Sequence, residues 1–407
     1  MNQAVQIRRT ELKGKSIEYP FSASYGNKPI VDKYHIWIVL LFYHSGIMSN
    51  LNLHPTNLLE LDYLDLATPA PAPIIDVHTH LSGVNAVRCY HEIAQAYGIT
   101  LTFSMSPLDQ LDTIRDIMGD AVEFIAIPAW SDADRTKAHG PAFLDQIRRF
   151  HEAGSRIVKF WAAPRGRDYG HEVGDPGLLH LDSPARIKAM DLAAELDMIF
   201  MTHVADPDTW FQSKYSDAAR YGTKEDQYEP LERLLEIYKQ PWIAAHMGGW
   251  PEDLDFLDGL LTRHDNLHLD SSATKWMVRE LSRHSPDRLR EFLQRWKGRV
   301  LFGSDIVTNE SHLSPPETTA DGVSPQATSP EEARDLYASR YWALRTLFES
   351  KYDGPSPIAD PDLALVDPAS HGPLDSPDLR GKALPVDVLK SLYHDAAEEL
   401  LLSRIRP

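Results

Sequence analysis

The chain has 407 residues, with 59 acidic against 41 basic side chains and a formal charge of -18. That charge opposes sequence-independent attraction to nucleic acid or an anionic membrane surface, so the expected partner is a small molecule. The single cysteine, Cys89, excludes an internal disulfide and a cysteine-based zinc site and fits a reducing, cytoplasmic compartment; metal ligands must then be His, Asp or Glu, and homo-oligomerisation is left open.

Residues 1–47 read as an N-terminal extension to which no function is assigned. Ile36 to Tyr43 is apolar, but far shorter than the roughly 20 residues that a membrane span needs. It also lies late for a signal peptide, with no small-residue cleavage site after it. Met48 opens a polar stretch leading to the first strand, Ile74 to His80. From there strand and helix patterns alternate, the signature of a parallel sheet with crossover helices. A helix over 84–97 is followed by strand two, Ile99 to Ser104, a short helix near 108–118, strand three, Val122 to Pro128, a helix over 140–153, and strand four, Arg156 to Trp161. Ser183 and Pro184 make a good helix start, the hydroxyl accepting a first-turn amide and Pro taking a position where its missing N–H costs nothing.

Strand five, Met198 to His203, precedes a polar and aromatic insertion over 206–228 that is expected to cover a site, then a helix over 229–239. Strand six is Trp242 to His246, helix six 251–263, strand seven Leu267 to Ser271, helix seven much of 276–296, and strand eight Arg299 to Ser304. A Ser, Thr and Pro-rich loop over 307–328 leads to Ser329 and Glu332, which are spaced as a capping box for helix eight. Eight strands alternating with eight helices predict a (β/α)8 TIM barrel over 48–352, α/β in class, followed by a Pro- and Asp-rich C-terminal tail over 353–407 whose residues 384–404 form a last helix.

In such barrels the functional residues gather at the carboxyl ends of the strands. Those ends carry His78 and His80, Lys159, His203, His246 and Asp305. Two residues apart on a strand, His78 and His80 point the same way and can share a metal. One such polar residue is explained by packing, but four histidines and an aspartate converging at one end of a barrel are not. Imidazole with carboxylate suits zinc first, with manganese or iron(II) as alternatives.

His78-Thr79-His80, Thr202-His203, Ala245-His246-Met247-Gly248-Gly249 and Phe302-Gly303-Ser304-Asp305 resemble the metal-site motifs of the amidohydrolase superfamily, most closely its amidohydrolase-related (amidohydrolase 2) branch of metal-dependent hydrolases, lactonases and non-oxidative decarboxylases. The resemblance runs from about Ile74 to Phe348. It implies one divalent ion on His78, His80, His203 and Asp305, with His246 beside it as a catalytic base or substrate contact. Lys159 ends strand four where binuclear relatives carry a carboxylated lysine bridging two metals; the single-metal arrangement is the expectation here. A metal-activated water attacking an amide, ester or lactone, with Asp305 relaying the proton and His246 stabilising charge, follows from this donor set. Decarboxylation of an aromatic or unsaturated carboxylic acid is the alternative. Arg165 and Arg167 are candidates to clamp a substrate carboxylate, and Trp161, Trp210 and Trp250 to wall a pocket.

Overall fold

A computed structural model describes residues 55–315 and 326–405. The expected extension over 1–47 lies outside the described residues, as does part of the Ser, Thr and Pro-rich loop. Nine strands form one sheet in the order β8-β7-β6-β5-β4-β3-β2-β1-β9: β1 (Ile74–His80), β2 (Ile99–Ser104), β3 (Val122–Ala126), β4 (Ile157–Trp161), β5 (Ile199–His203), β6 (Trp242–Ala244), β7 (Leu267–Asp270), β8 (Val300–Leu301) and β9 (Ile306–Val307). All pair in parallel. The last two are halves of one eighth strand. Its first half pairs with β7 and its second with β1, while Val77 N donates to Phe302 O and Asp305 N to His78 O across the gap, at 2.9 and 2.8 Å. The barrel is therefore closed.

Side-chain alternation along the strands sorts the core into two shells. Outward residues such as Phe160, Phe200, Trp242 and Leu269 pack beneath the helices. Inward residues Ile75, Leu101, Ile125, Ile157, Ile199, Ile243 and Leu301 fill the barrel's amino-terminal half, each fully buried aliphatic side chain contributing about 1.5–3 kcal/mol. Continuing inward along the same strands, Ile157 gives way to Lys159, and Ile199 and Met201 to His203. The period that builds an apolar floor thus carries polar groups at the carboxyl end. In β1 the register slips between Asp76 and Thr79, so His78 follows the inward Val77 into the barrel.

One expectation is corrected by chain stereochemistry. Helix seven is two helices, Thr274–Arg283 and Pro286–Arg295, because Pro286 holds Ser285 in an extended conformation (φ -63, ψ 150) and the Ser285 hydroxyl caps the second helix. At helix eight, Ser329 Oγ accepts from Glu332 N at 3.2 Å, and the Glu332 carboxylate accepts from the amide of Thr328 at 2.6 Å. The tail contains a two-stranded antiparallel hairpin, Asp353–Pro355 with Asp378–Arg380, that the sequence pattern does not reveal. Its final helix begins at Val386 and continues through two π turns; Ala396, Ala397 and Leu401 from it close the bottom of the barrel. Among the described residues no helix is long and apolar enough to cross a membrane.

Candidate metal centre

At the carboxyl end of the barrel, His80 Nε2 lies 3.2 Å and His78 Nε2 3.5 Å from Asp305 Oδ1, and one donor atom from each of the three falls within 4.8 Å of the others. Asp305 occupies the left-handed region (φ 60), a conformation that costs a non-glycine residue about 1–3 kcal/mol and turns its carboxylate back over β1. Burial alone would raise its pKa, but the hydrogen bond from His80 and the fields of His78 and His246 outweigh it and hold the carboxyl well below the usual range. It is an anion facing two imidazoles.

The residue that orients His78 is Asp270, at the end of β7. Its Oδ2 lies 2.8 Å from His78 Nδ1, and its Oδ1 accepts from His246 N at 2.9 Å and Ser272 N at 3.0 Å. Burial would raise its pKa, but His78, through attraction and a hydrogen bond, and then His246 and Lys159 outweigh it and hold Asp270 well below the usual carboxyl range. An ionised carboxylate can only accept, which puts the His78 proton on Nδ1 and leaves the Nε2 lone pair turned toward Asp305. The donor set, two imidazole nitrogens and a carboxylate oxygen with one imidazole locked from behind, fits a divalent ion.

His203 stands apart from this trio. Its Nε2 lies 2.9 Å from Asp206 Oδ1 and its Nδ1 3.1 Å from His246 Nε2, while Asp206 also accepts from the Tyr215 hydroxyl at 2.7 Å. His246 sits in the left-handed region (φ 60), with Nδ1 2.8 Å from Ser272 Oγ. Burial first, then the neighbouring His203, push its pKa well below the ordinary histidine value, against Asp305. Lys159 Nζ lies 3.4 Å from His78 Nε2, and burial pushes its pKa down to about 8 although Asp270 and Asp305 oppose this.

His78, His80, Lys159, His203, His246 and Asp305 form the floor of a cavity of about 550 Å³ whose walls are Leu81, Met105, Ile127, Trp130, Trp161, Tyr169 and Trp276. Trp161 is therefore at the cavity, edge-on to Trp130 with ring centroids 5.5 Å apart. Trp210 lies behind Trp276, and Trp250 packs on Tyr228 and Phe256 instead. Arg165 is exposed, and Arg167 turns into a separate cleft where it donates to Gln227 Oε1 at 3.1 Å; neither lines the cavity. Asp270, Asp206 and Trp276 are absent from the sequence-based set. Asp270 was reachable by position, since it ends β7 after Leu267 and Leu269. Nothing in the local pattern marks Asp206 or Trp276.

No protein-family model matches the chain, and no curated protein does. Solved structures do. The solved structures it resembles include barrels of the amidohydrolase superfamily. A dihydroorotase from Saccharomyces cerevisiae in complex with 5-fluoroorotic acid is 13% identical over 82% of this chain and 84% of its own, with a TM-score of 0.42. A 5-carboxyvanillate decarboxylase from Novosphingobium aromaticivorans, complexed with manganese and 4-hydroxy-3-methoxy-5-nitrobenzoic acid, is 14% identical over 90% and 92%, with a TM-score of 0.40. An amidohydrolase II is 11% identical over 81% and 99%, also at 0.40. At such identities the likeness says nothing of chemistry, and the barrel is established by its own strand order.

Proposed function

We propose that this chain is a metal-dependent hydrolase that cleaves an amide, ester or lactone of a small, largely apolar molecule. The observation that supports this most is the convergence of donor atoms from His78, His80 and Asp305 at the floor of an aromatic-walled cavity, with Asp270 fixing the His78 tautomer. His78, His80 and Asp305 would hold a divalent ion, and when bound it would supply Lewis acidity to a carbonyl oxygen and lower the pKa of water from 15.7 toward about 7.

The chain's own groups account for the remaining steps. Ionised Asp305 accepts the proton of the attacking water and returns it to the departing alkoxide or amine. The Lys159 ammonium offers a hydrogen bond to the oxygen on which negative charge develops, and it is worth more there because the surrounding indoles exclude water, while His246 lies beside it in the floor as a base or substrate contact. Zinc, manganese and iron(II) all suit two imidazoles and a carboxylate.

Lys159 also favours a second reading. A buried ammonium in the floor can pair with a substrate carboxylate, hold an aromatic ring against the trio, and let that ring lose carbon dioxide after a proton is added at the carbon bearing it. A panel of lactones, esters, amides and aromatic carboxylates, offered to chelated and metal-restored protein with carbon dioxide scored separately, tests both. Metal-dependent release of acid from one of the first three classes is expected. Carbon dioxide without hydrolysis would replace the first reading by the second, and no difference between chelated and restored protein would remove both.

A further inference from the structure

Trp276 is the cavity wall that stands against both His246 and His203. Its ring centroid is 5.6 Å from that of His246 and 6.3 Å from that of His203, edge-on to both at 85° and 84°. It enters the site from the start of the helix Thr274–Arg283, next to Asp270 at the end of β7 and Ser272 in the loop that follows. An indole has one polar handle, its Nε1–H, and the group that takes it here comes from outside the barrel. Asp362 Oδ2 accepts from Trp276 Nε1 at 3.3 Å and from Trp210 Nε1 at 2.8 Å. Trp210 belongs to the insertion after β5 and stands edge-on to Trp276, centroids 5.4 Å apart. One carboxylate thus ties the wall to the insertion.

We propose that Asp362, in the segment after the barrel, is a positioning residue that sets the substrate cavity by fixing the indole of Trp276. The carboxylate is itself fixed. It is 3% exposed, and Lys214, Arg279 and Lys275 approach it at 3.5, 3.6 and 3.8 Å. Its backbone amide donates to Asp360 Oδ1 at 3.2 Å, and Asp360 is in turn ion-paired with Arg279 and Lys275. The segment is anchored apolarly as well, since Ile358 packs with Val278, Ala343 and Leu379. An acceptor held this firmly defines where an indole N–H must point. Without it, Trp276 turns to seek water and the wall against His246 and His203 loosens, so substrate grip changes while the chemistry at the trio does not.

The inference rests on the reading of this cavity as the substrate site, and the experiment separates the two. Zinc-loaded full-length protein is titrated with 4-nitrobenzoate, followed by tryptophan fluorescence, and assayed with 4-nitrophenyl acetate. Asp362→Leu, which removes the acceptor, and Trp276→Phe, which removes the N–H, are each expected to weaken the Kd and raise KM by about tenfold, the scale of one hydrogen bond to a charged group, with kcat within about twofold. The double variant is expected to be no worse than the worse single, the mark of two residues acting as one. Asp362→Asn, which keeps an acceptor, is expected to bind near the parent. Should Asp362→Leu fail to fold, the 5-fluorotryptophan spectrum of Asp362→Asn carries the test, the Trp276 signal being assigned by its loss in Trp276→Phe and expected to shift. Additive losses, or a Trp276 signal indifferent to residue 362, would overturn the proposal and leave Asp362 as an anchor of the tail. A parent that neither binds nor turns over the probes, with a Trp276 signal that still responds to residue 362, would support the link and count against the hydrolase reading.

Discussion

Replacing Asp270 with Asn is the sharpest perturbation of the trio that touches none of its members. In the parent, Oδ1 accepts from the amides of His246 and Ser272 at 2.9 and 3.0 Å, and Oδ2 lies 2.8 Å from His78 Nδ1. An Asn oxygen can keep the two amides. Its NH2 then faces His78 Nδ1 and must donate to it, which moves the imidazole proton to Nε2, the atom that lies 3.5 Å from Asp305 Oδ1. The lone pair needed for a metal is lost from the position where it is wanted, at almost no steric cost. Substitution of a partner behind a metal-binding histidine typically costs 10–100-fold in affinity, which at about 1.4 kcal/mol per factor of ten is about 1.4–2.8 kcal/mol. Competition of zinc between the protein and a chromophoric chelator measures it. A parent-like affinity in Asp270→Asn, with the fold intact by circular dichroism, would refute the claim that Asp270 sets the His78 tautomer.

His246→Asn is expected to leave metal content near that of the parent and to lower turnover of any substrate found in the panel by about 10²-fold or more; loss of metal would make His246 a ligand. Glu252 gives a pH prediction away from the trio. Burial pushes its pKa up to about 7, with Glu280 and Asp208 adding to the rise and Lys224 opposing it, and its Oε2 has no hydrogen-bond partner. Since the folded carboxyl holds its proton more tightly than the ordinary value of 4.5, it weakens the fold as pH rises from about 4.5 through 7. Glu252→Gln is therefore expected to match the parent in urea stability at pH 4 and exceed it at pH 8, by on the order of 1–3 kcal/mol. A difference independent of pH would contradict this.

The barrel was legible because its strands are short apolar runs bounded by turn signals, and several bounds, such as Ile74 to His80 and Ile99 to Ser104, coincide with the structure. Residues with a polar side chain at the end of such a run were found the same way. What escaped depends on contacts remote in sequence. Asp206 is meaningful only because His203 and Tyr215 turn to it, and Asp362 only because two indoles from different elements reach it. The eighth strand hides its break for another reason: Asp305 adopts a left-handed conformation that no propensity assigns to Asp in a strand. Arg165 and Arg167 show the opposite failure, for proximity to a strand end does not say which way a loop side chain turns.

A single divalent ion held by His78, His80 and Asp305 is central to the proposed function. Elemental analysis of the full-length protein after exhaustive dialysis tests this most directly, beside His80→Asn, Asp305→Asn and Lys159→Ala. The expected result is close to one ion per chain in the parent and in Lys159→Ala, and little in the other two. A parent that retains no metal, or one that holds two ions and drops to one or none in Lys159→Ala, would contradict it.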